Sequence, residues 1–180
     1  RQDDKGPNTG GMGAVSPVNF VDDKFIKKVK KEIIDKTIKG LRSENIEYKG
    51  FVFAGLMNVD GDPYVIEYNV RMGDPETQVV IPRLKNDLVD IILTCLDGKL
   101  SGASTQFLDK YCTTVILASD GYPNQYKKGK KITNICDEDE SIIFHAGTKL
   151  IDDNIISNGG RVLACTGFGS VSYTHLTLPT

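Results

Sequence analysis

Between Phe25 and Leu41 apolar side chains return every three or four residues: Phe25, Ile26, Val29, Ile33, Ile34, Ile38 and Leu41, with Thr37 in step. This spacing predicts an amphipathic helix. Asp22-Asp23 opens it, because acidic side chains suit the positive end of a helix dipole. Lys27, Lys28, Lys30 and Lys31 fall mostly outside the apolar stripe. They read as a solvated face rather than a nucleic-acid patch, since no aromatic side chains alternate with them. The pattern then changes period. Phe51 to Val59 and Pro63 to Val70 are rich in β-branched and aromatic residues, and Asp60-Gly61-Asp62 lies between them. That combination predicts two antiparallel strands joined by a tight turn. Pro75 favours a first helical turn, Val79 to Leu84 continues helical, and Leu88 to Leu96 forms a further helix that stops before Gly98.

From Tyr111 onward the elements are short and β-type. Thr113 to Ala118, Ser141 to Phe144, Lys149 to Ile151 and Arg161 to Thr166 read as strands, separated by turns at Asp120-Gly121-Tyr122-Pro123 and Asn158-Gly159-Gly160. Lys127 to Lys131, with four lysines around Gly129, reads as a solvated loop or strand edge. The expected organisation is a first domain over 1–99, a linker over 100–110, a small β-rich domain over 111–169, and a tail over 170–180.

Composition narrows the class without naming a function. The chain has 180 residues, 39% hydrophobic and 26% charged, with 22 basic against 24 acidic side chains. A disordered chain is excluded, and the charge balance gives no general reason to expect nucleic acid. No apolar run reaches the roughly 18 residues that a membrane-spanning helix needs. Cys95, Cys112, Cys136 and Cys165 form no C-x-x-C pair, which favours reduced, mostly buried thiols in the cytoplasm over disulfides or zinc. The chain lacks an initiating Met and any apolar leader, and reads as an internal piece of a longer one.

Two segments can carry chemistry. The first is Glu67-x-Asn69-x-Arg71, followed at once by Gly73-Asp74-Pro75-Glu76. Period-two alternation puts Glu67 and Asn69 on one strand face, with Arg71 on it too if the strand persists. A carboxylate and an amide oxygen there suit a hard divalent cation that keeps waters and bridges to phosphates. Arg71 could steady phosphoryl oxygens. A strand-end carboxylate paired with an arginine remains the plainer alternative. The second segment is the loop Gly6-Pro7-Asn8-Thr9-Gly10-Gly11-Met12-Gly13, whose glycines allow backbone N–H groups to approach an anion. It is neither a P-loop nor a dinucleotide-binding loop, and a plain surface loop is its alternative. His145 reads as structural, and no Ser or Cys triad signature occurs.

The ordered set GPNTGGMGAVSP, YKGFVFAGLM, VIEYNVRMGDPETQ, GYP, FHAGTKL and NGGRVLACTGFG resembles the glycinamide ribonucleotide synthetases, ATP-grasp ligases of purine synthesis, over Gly6 to Gly169. The resemblance implies an α+β fold: the second half of an ATP-grasp domain, an antiparallel sheet with packed helices, followed by a small β-rich domain. It implies ATP, glycine and 5-phosphoribosylamine as substrates, with Mg²⁺ or Mn²⁺ held by Glu67 and Asn69. Arg71 matches a catalytic position that stabilises the transferred phosphate. Asn8, Thr9, Gly10, Gly11, Met12 and Gly13, with Asp74, Pro75 and Glu76, would bind the substrates. A cytoplasmic enzyme, monomeric at full length and without nucleic-acid or membrane partners, is the corresponding expectation.

Three departures from the family accompany these matches. The ATP lid that the family places before the glycine loop is not in this sequence, so the chain alone is expected to be inactive. Phe51 to Met57 carries no acidic ligand of the kind many ATP-grasp enzymes place on the preceding strand. The tail SVSYTHLTLPT departs from the family's helix and reads as non-native, which removes His175 from consideration. Another ATP-grasp carboxylate–amine ligase and a non-catalytic anion-binding module are the alternatives that the E-x-N-x-R strand and the missing lid leave open.

Overall fold

The computed structural model describes residues 6–135 and 141–170. The expectations for Cys136, for His175 and for the tail beyond Ser170 fall outside these residues. The chain divides into two compact units, each discontinuous in sequence. One comprises Val18–Gly73 with Leu84–Phe107; the other comprises the described parts of Arg1–Pro17, Asp74–Arg83 and Leu108–Thr180.

In the first unit Asp22 caps α1 (Asp23–Val29), its carboxylate accepting the Phe25 N–H at 2.7 Å. This satisfies one of the donors that a helix start leaves unpaired. A five-residue π-helical turn, Lys30–Ile34, joins α1 to α2 (Asp35–Ser43). The predicted helix is therefore present, with one widened turn in the middle. Phe25 and Ile33 are its buried side chains, both from the predicted stripe. Lys28 anchors it to the hairpin turn, donating to the Gly61 carbonyl at 2.8 Å and pairing with Asp62.

The hairpin is β2 (Phe53–Val59) and β3 (Asp62–Asn69), antiparallel. Asp60 and Gly61 both have positive φ (52° and 85°), as a two-residue turn matching strand twist requires. Gly55 pairs with Glu67 while Leu56 pairs with Val65, so Ile66 is an extra residue and forms a bulge. The bulge puts Val65 on the face of Leu56 and Glu67 on the face of Gly55. The remaining helix of this unit, α4 (Leu88–Leu96), is capped by Asp87, which accepts the Val89 N–H at 2.7 Å.

In the second unit a four-stranded antiparallel sheet runs in the order β1-β4-β8-β5. Its strands are β1 (Gly13–Ser16), β4 (Tyr111–Ala118), β5 (Ser141–His145) and β8 (Arg161–Gly169). β6 (Thr148–Ile151) and β7 (Asn154–Ser157) form a separate hairpin. The short helix α3 (Thr77–Val80) packs against β1, β4 and β8, and Val79 is its buried residue. Alternation along β4 buries Cys112, Thr114 and Ile116, whereas β8 is buried continuously from Val162 to Gly167. Two hydroxyls in this core satisfy each other: Thr166 donates to Thr114 at 2.8 Å, and Thr114 donates to the Cys165 carbonyl at 3.3 Å. Arg83 ties the unit's segments together, donating to Ser16 Oγ at 2.7 Å and to the carbonyls of Lys110 and Leu108 at 2.8 and 3.2 Å.

The glycine-rich segment thus ends in an edge strand that its composition concealed. β1 pairs with β4 from Gly13↔Val115 to Ser16↔Cys112, and this ladder draws the loop into the β-rich unit. The lysine segment is a strand edge, with Ile132 donating to the Ile155 carbonyl at 2.8 Å and Ser157 to the Lys130 carbonyl at 2.8 Å.

Candidate functional site

The glycine loop is held down at successive residues. The Gly10 N–H donates to the Tyr122 hydroxyl at 3.0 Å. The Gly11 carbonyl accepts from Arg161 Nη1 at 3.0 Å, and the Met12 carbonyl accepts the Ile116 N–H at 3.0 Å. Glycine is required by close approach at Gly11, where a Cβ would lie 2.4 Å from Pro75 Cδ. Asn8, Gly10, Gly11, Met12 and Gly13 are exposed, and Thr9 is half-buried. Among the described residues no acceptor pairs with the N–H groups of Gly11 and Met12. Exposed glycine backbone with free N–H groups can approach an anion.

Asp74 and Pro75 lie against this loop within the same unit. Arg161 Nη1 also donates to the Asp74 carbonyl at 3.1 Å, and Nη2 pairs with the Asp74 carboxylate. The other carboxylate oxygen of Asp74 accepts from Gln78 Nε2 at 3.0 Å. Gln78 Oε1 is buried without a hydrogen-bond partner among the described residues. Pro75 is buried, and Glu76 is half-buried just before α3. Arg161 and Tyr122 escaped the sequence reading as site residues. Both lie in matched motifs, NGGRV and GYP, but the pairing of Arg161 with Asp74 spans 87 positions and leaves no local signal.

In the other unit, Glu67, Asn69 and Arg71 form a hydrogen-bonded row. Asn69 Nδ2 donates to Glu67 Oε1 at 2.9 Å, and Arg71 Nη2 donates to Asn69 Oδ1 at 3.3 Å. Arg71 Nη1 donates to the Met72 carbonyl at 2.9 Å, which fixes the guanidinium. Glu67 and Arg71 are exposed and Asn69 is half-buried. Gly55 faces Glu67 across the hairpin, where a Cβ would come within 3.2 Å of Glu67 Cγ. Among the described residues no cluster of three or more His, Cys, Asp or Glu could hold a metal ion. The donor set here is one carboxylate and one amide oxygen, which has a second lone pair beyond the one Arg71 engages. Such a set fits a hard cation completed by water and phosphate oxygens, and does not fit a closed all-protein cage.

His145 closes β5, its Nδ1 3.0 Å from Thr148 Oγ1. Burial pushes the Cys112 thiol up to about 11, against a smaller lowering from Arg83, and burial also raises Cys165. Neither thiol is poised as a nucleophile. Among the described residues no helix is long and apolar enough to cross a membrane.

The model of the phosphoribosylglycinamide synthetase ATP-grasp (A) domain matches residues 1–77, and that of the C domain of the same enzymes matches residues 112–173. The chain belongs to the phosphoribosylglycinamide synthetase family. It is 42% identical over 166 residues to the phosphoribosylamine–glycine ligase of Caldanaerobacter subterraneus, covering 92% of this chain and 40% of that protein. The Salmonella typhimurium ligase is 45% identical over 170 residues, with the same shares covered. The chain thus spans about two fifths of the length of these curated relatives.

Among solved structures, phosphoribosylamine–glycine ligase from Thermotoga maritima superposes with a TM-score of 0.79 at 42% identity, covering 94% of this chain and 41% of that one. Biotin carboxylase from Campylobacter jejuni, at 16% identity, 88% and 35% coverage and a TM-score of 0.56, shares the fold alone. The α+β architecture is that of an ATP-grasp segment with a β-rich part after it, as the motifs implied.

Proposed function

We propose that this chain works in an ATP-dependent carboxylate–amine ligase that joins glycine to 5-phosphoribosylamine through a glycyl phosphate. The products are glycinamide ribonucleotide, ADP and phosphate. The observation that carries this reading is the hydrogen-bonded row of Glu67 and Asn69 at the end of β3 with Arg71 just beyond it, in a chain whose relatives bear that ligase's name.

A carboxylate oxygen is a poor leaving group. Transfer of the γ-phosphoryl of ATP to the glycine carboxylate converts it into phosphate, a good one. The amine of phosphoribosylamine then attacks the acyl carbon, loses a proton, and expels phosphate. Glu67 and Asn69 are the residues that would hold Mg²⁺ or Mn²⁺. The bound cation would supply positive charge that offsets repulsion between anionic reactants. Arg71, its guanidinium fixed by Asn69 and Met72, offers charged donors to phosphoryl oxygens. The loop Asn8 to Gly13 presents backbone N–H groups and Asp74 and Pro75 lie against it; these residues, with Glu76, serve substrate binding. The corresponding protein is a cytoplasmic monomer that needs no nucleic acid or membrane.

The test is product formation by the protein at the full length of its relatives, with ATP, glycine, freshly made phosphoribosylamine and a Mg²⁺ titration. Glycinamide ribonucleotide and ADP in equal amounts support the reading. Absence of product with glycine, or preference for another carboxylic acid, overturns it.

A further inference from the structure

We propose that Arg161 is a positioning residue that clamps the glycine-rich loop onto Asp74, setting the loop geometry on which substrate affinity depends. The proposal rests on the ligase reading above, because the loop matters to catalysis only if it meets substrate.

One guanidinium makes three contacts to two segments. Nη1 bridges the carbonyls of Gly11 and Asp74 at 3.0 and 3.1 Å, and Nη2 pairs with the Asp74 carboxylate. The planar fork of arginine suits this arrangement, whereas the single ammonium of lysine does not reproduce it. The Arg161 side chain is 23% exposed and that of Asp74 is 50% exposed, so the pair is partly shielded from water.

The loop has packed around this group. A Cβ on Gly10 would lie 2.9 Å from Arg161 Cζ, and one on Gly11 would lie 3.1 Å from the Asp74 carbonyl. Arg161 itself is fixed from below. It opens β8, and its carbonyl accepts the Gly147 N–H at 2.9 Å. Tyr122 holds the neighbouring Gly10 N–H and packs over Gly160, where a Cβ would lie 2.2 Å from the ring. The N–H groups of Gly11 and Met12 flank the clamped carbonyl. Their direction therefore follows from where Arg161 holds Gly11.

The experiment uses the full-length protein as wild type, Arg161→Ala, Arg161→Lys and Tyr122→Phe, with hydrogen exchange at the paired amides of the loop, Gly10 and those of β1, read beside steady-state kinetics. Arg161→Ala is expected to speed exchange at the loop while β4 and β8 keep their protection. It should raise KM for glycine or phosphoribosylamine roughly tenfold to a hundredfold, the range expected from losing charged hydrogen bonds. Arg161→Lys should recover only part of that loss, and Tyr122→Phe should show a smaller effect of the same kind. Unchanged loop exchange in Arg161→Ala overturns the clamp whatever the activity. Faster exchange with unchanged KM overturns its role in substrate affinity. Loss of protection throughout β4 and β8 assigns Arg161 to the fold and also overturns the proposal. A wild-type protein without ligase activity removes the functional reading alone, and the exchange measurement still decides whether the clamp exists.

Discussion

Glu67 is the residue on which the metal reading turns. Its substitution by Gln keeps shape and one oxygen but removes the charge that would offset a cation. In the full-length protein Glu67→Gln is expected to lower Mg²⁺-dependent turnover by roughly 10²–10³, the scale of losing one transition-state-stabilising contact. Thermal stability should hardly change, because Glu67 is exposed. Equal turnover across a Mg²⁺ titration would remove Glu67 from the ligand set. The thiols give a second check at this scale. With Cys112 raised to about 11 by burial, roughly one thiol in a thousand is ionised at pH 8, and the thiolate is the reactive form. Alkylation mapped by mass should therefore label half-buried Cys95 well before Cys112 and Cys165. The sign of the linkage follows from the same shift. A folded-state value above the unfolded one stabilises the fold at pH below about 9 and loses that contribution as pH rises toward about 11. Rapid labelling of Cys112 in folded protein at pH 8 would contradict the burial.

At the scale of elements, what the sequence revealed depended on whether the signal was local. The α1–α2 stripe, the Asp60-Gly61 turn and the α4 boundaries were legible because caps, period and turn chemistry lie within a few residues. β1 was not, since four residues beside Pro17 look like the end of a glycine loop, and only the ladder to β4 makes them a strand. β7 was hidden for another reason. Its turn, Asp152-Asp153, adopts positive φ at both residues (46° and 60°) without the glycine that usually marks such a hairpin. The bulge at Ile66 was equally silent. Glu67, Asn69 and Arg71 were legible as one row because the bulge lies before Glu67 and leaves their alternation intact. The clamp from Arg161 was not, because its partners are far away in the chain. The hairpin turn offers a clean test of local chemistry. Gly61 has φ of 85°, and a Cβ there meets nothing within 4 Å. Gly61→Ala should thus cost only the left-handed conformation, about 1 kcal/mol, read as a lower denaturant midpoint. No change in midpoint would mean that the turn relaxes into another type.

For the whole molecule, the surface of the β2–β3 hairpin sets the behaviour of the 180-residue chain taken alone. Met57, Val59, Tyr64, Val65, Ile66 and Tyr68 are 39–63% exposed, and register places them on both faces of a two-stranded sheet. Among the described residues neither outer edge of that sheet is paired to another strand. Such a hairpin is marginal by itself, and bare edges with apolar faces favour pairing with other chains. The β-rich unit contrasts with it, since β8 is paired on both sides and buried along most of its length. The purified chain is therefore expected to associate as concentration rises and to bind a hydrophobic dye. Amide exchange should be fast in β2 and β3 and slow in β4 and β8. Under the proposed ligase reading the same surface bears on activity, because phosphoryl transfer depends on positioning, and Glu67 and Asn69 stand on the weakly supported β3 with Arg71 just beyond its end. This chain alone should accordingly form no glycinamide ribonucleotide from ATP, glycine and phosphoribosylamine. Sedimentation, dye binding and a product assay on one preparation decide the matter. A monomer at high concentration with protected β2 and β3 amides would show that the hairpin is stable as it stands, and product from that monomer would show that 180 residues suffice to hold the reactants.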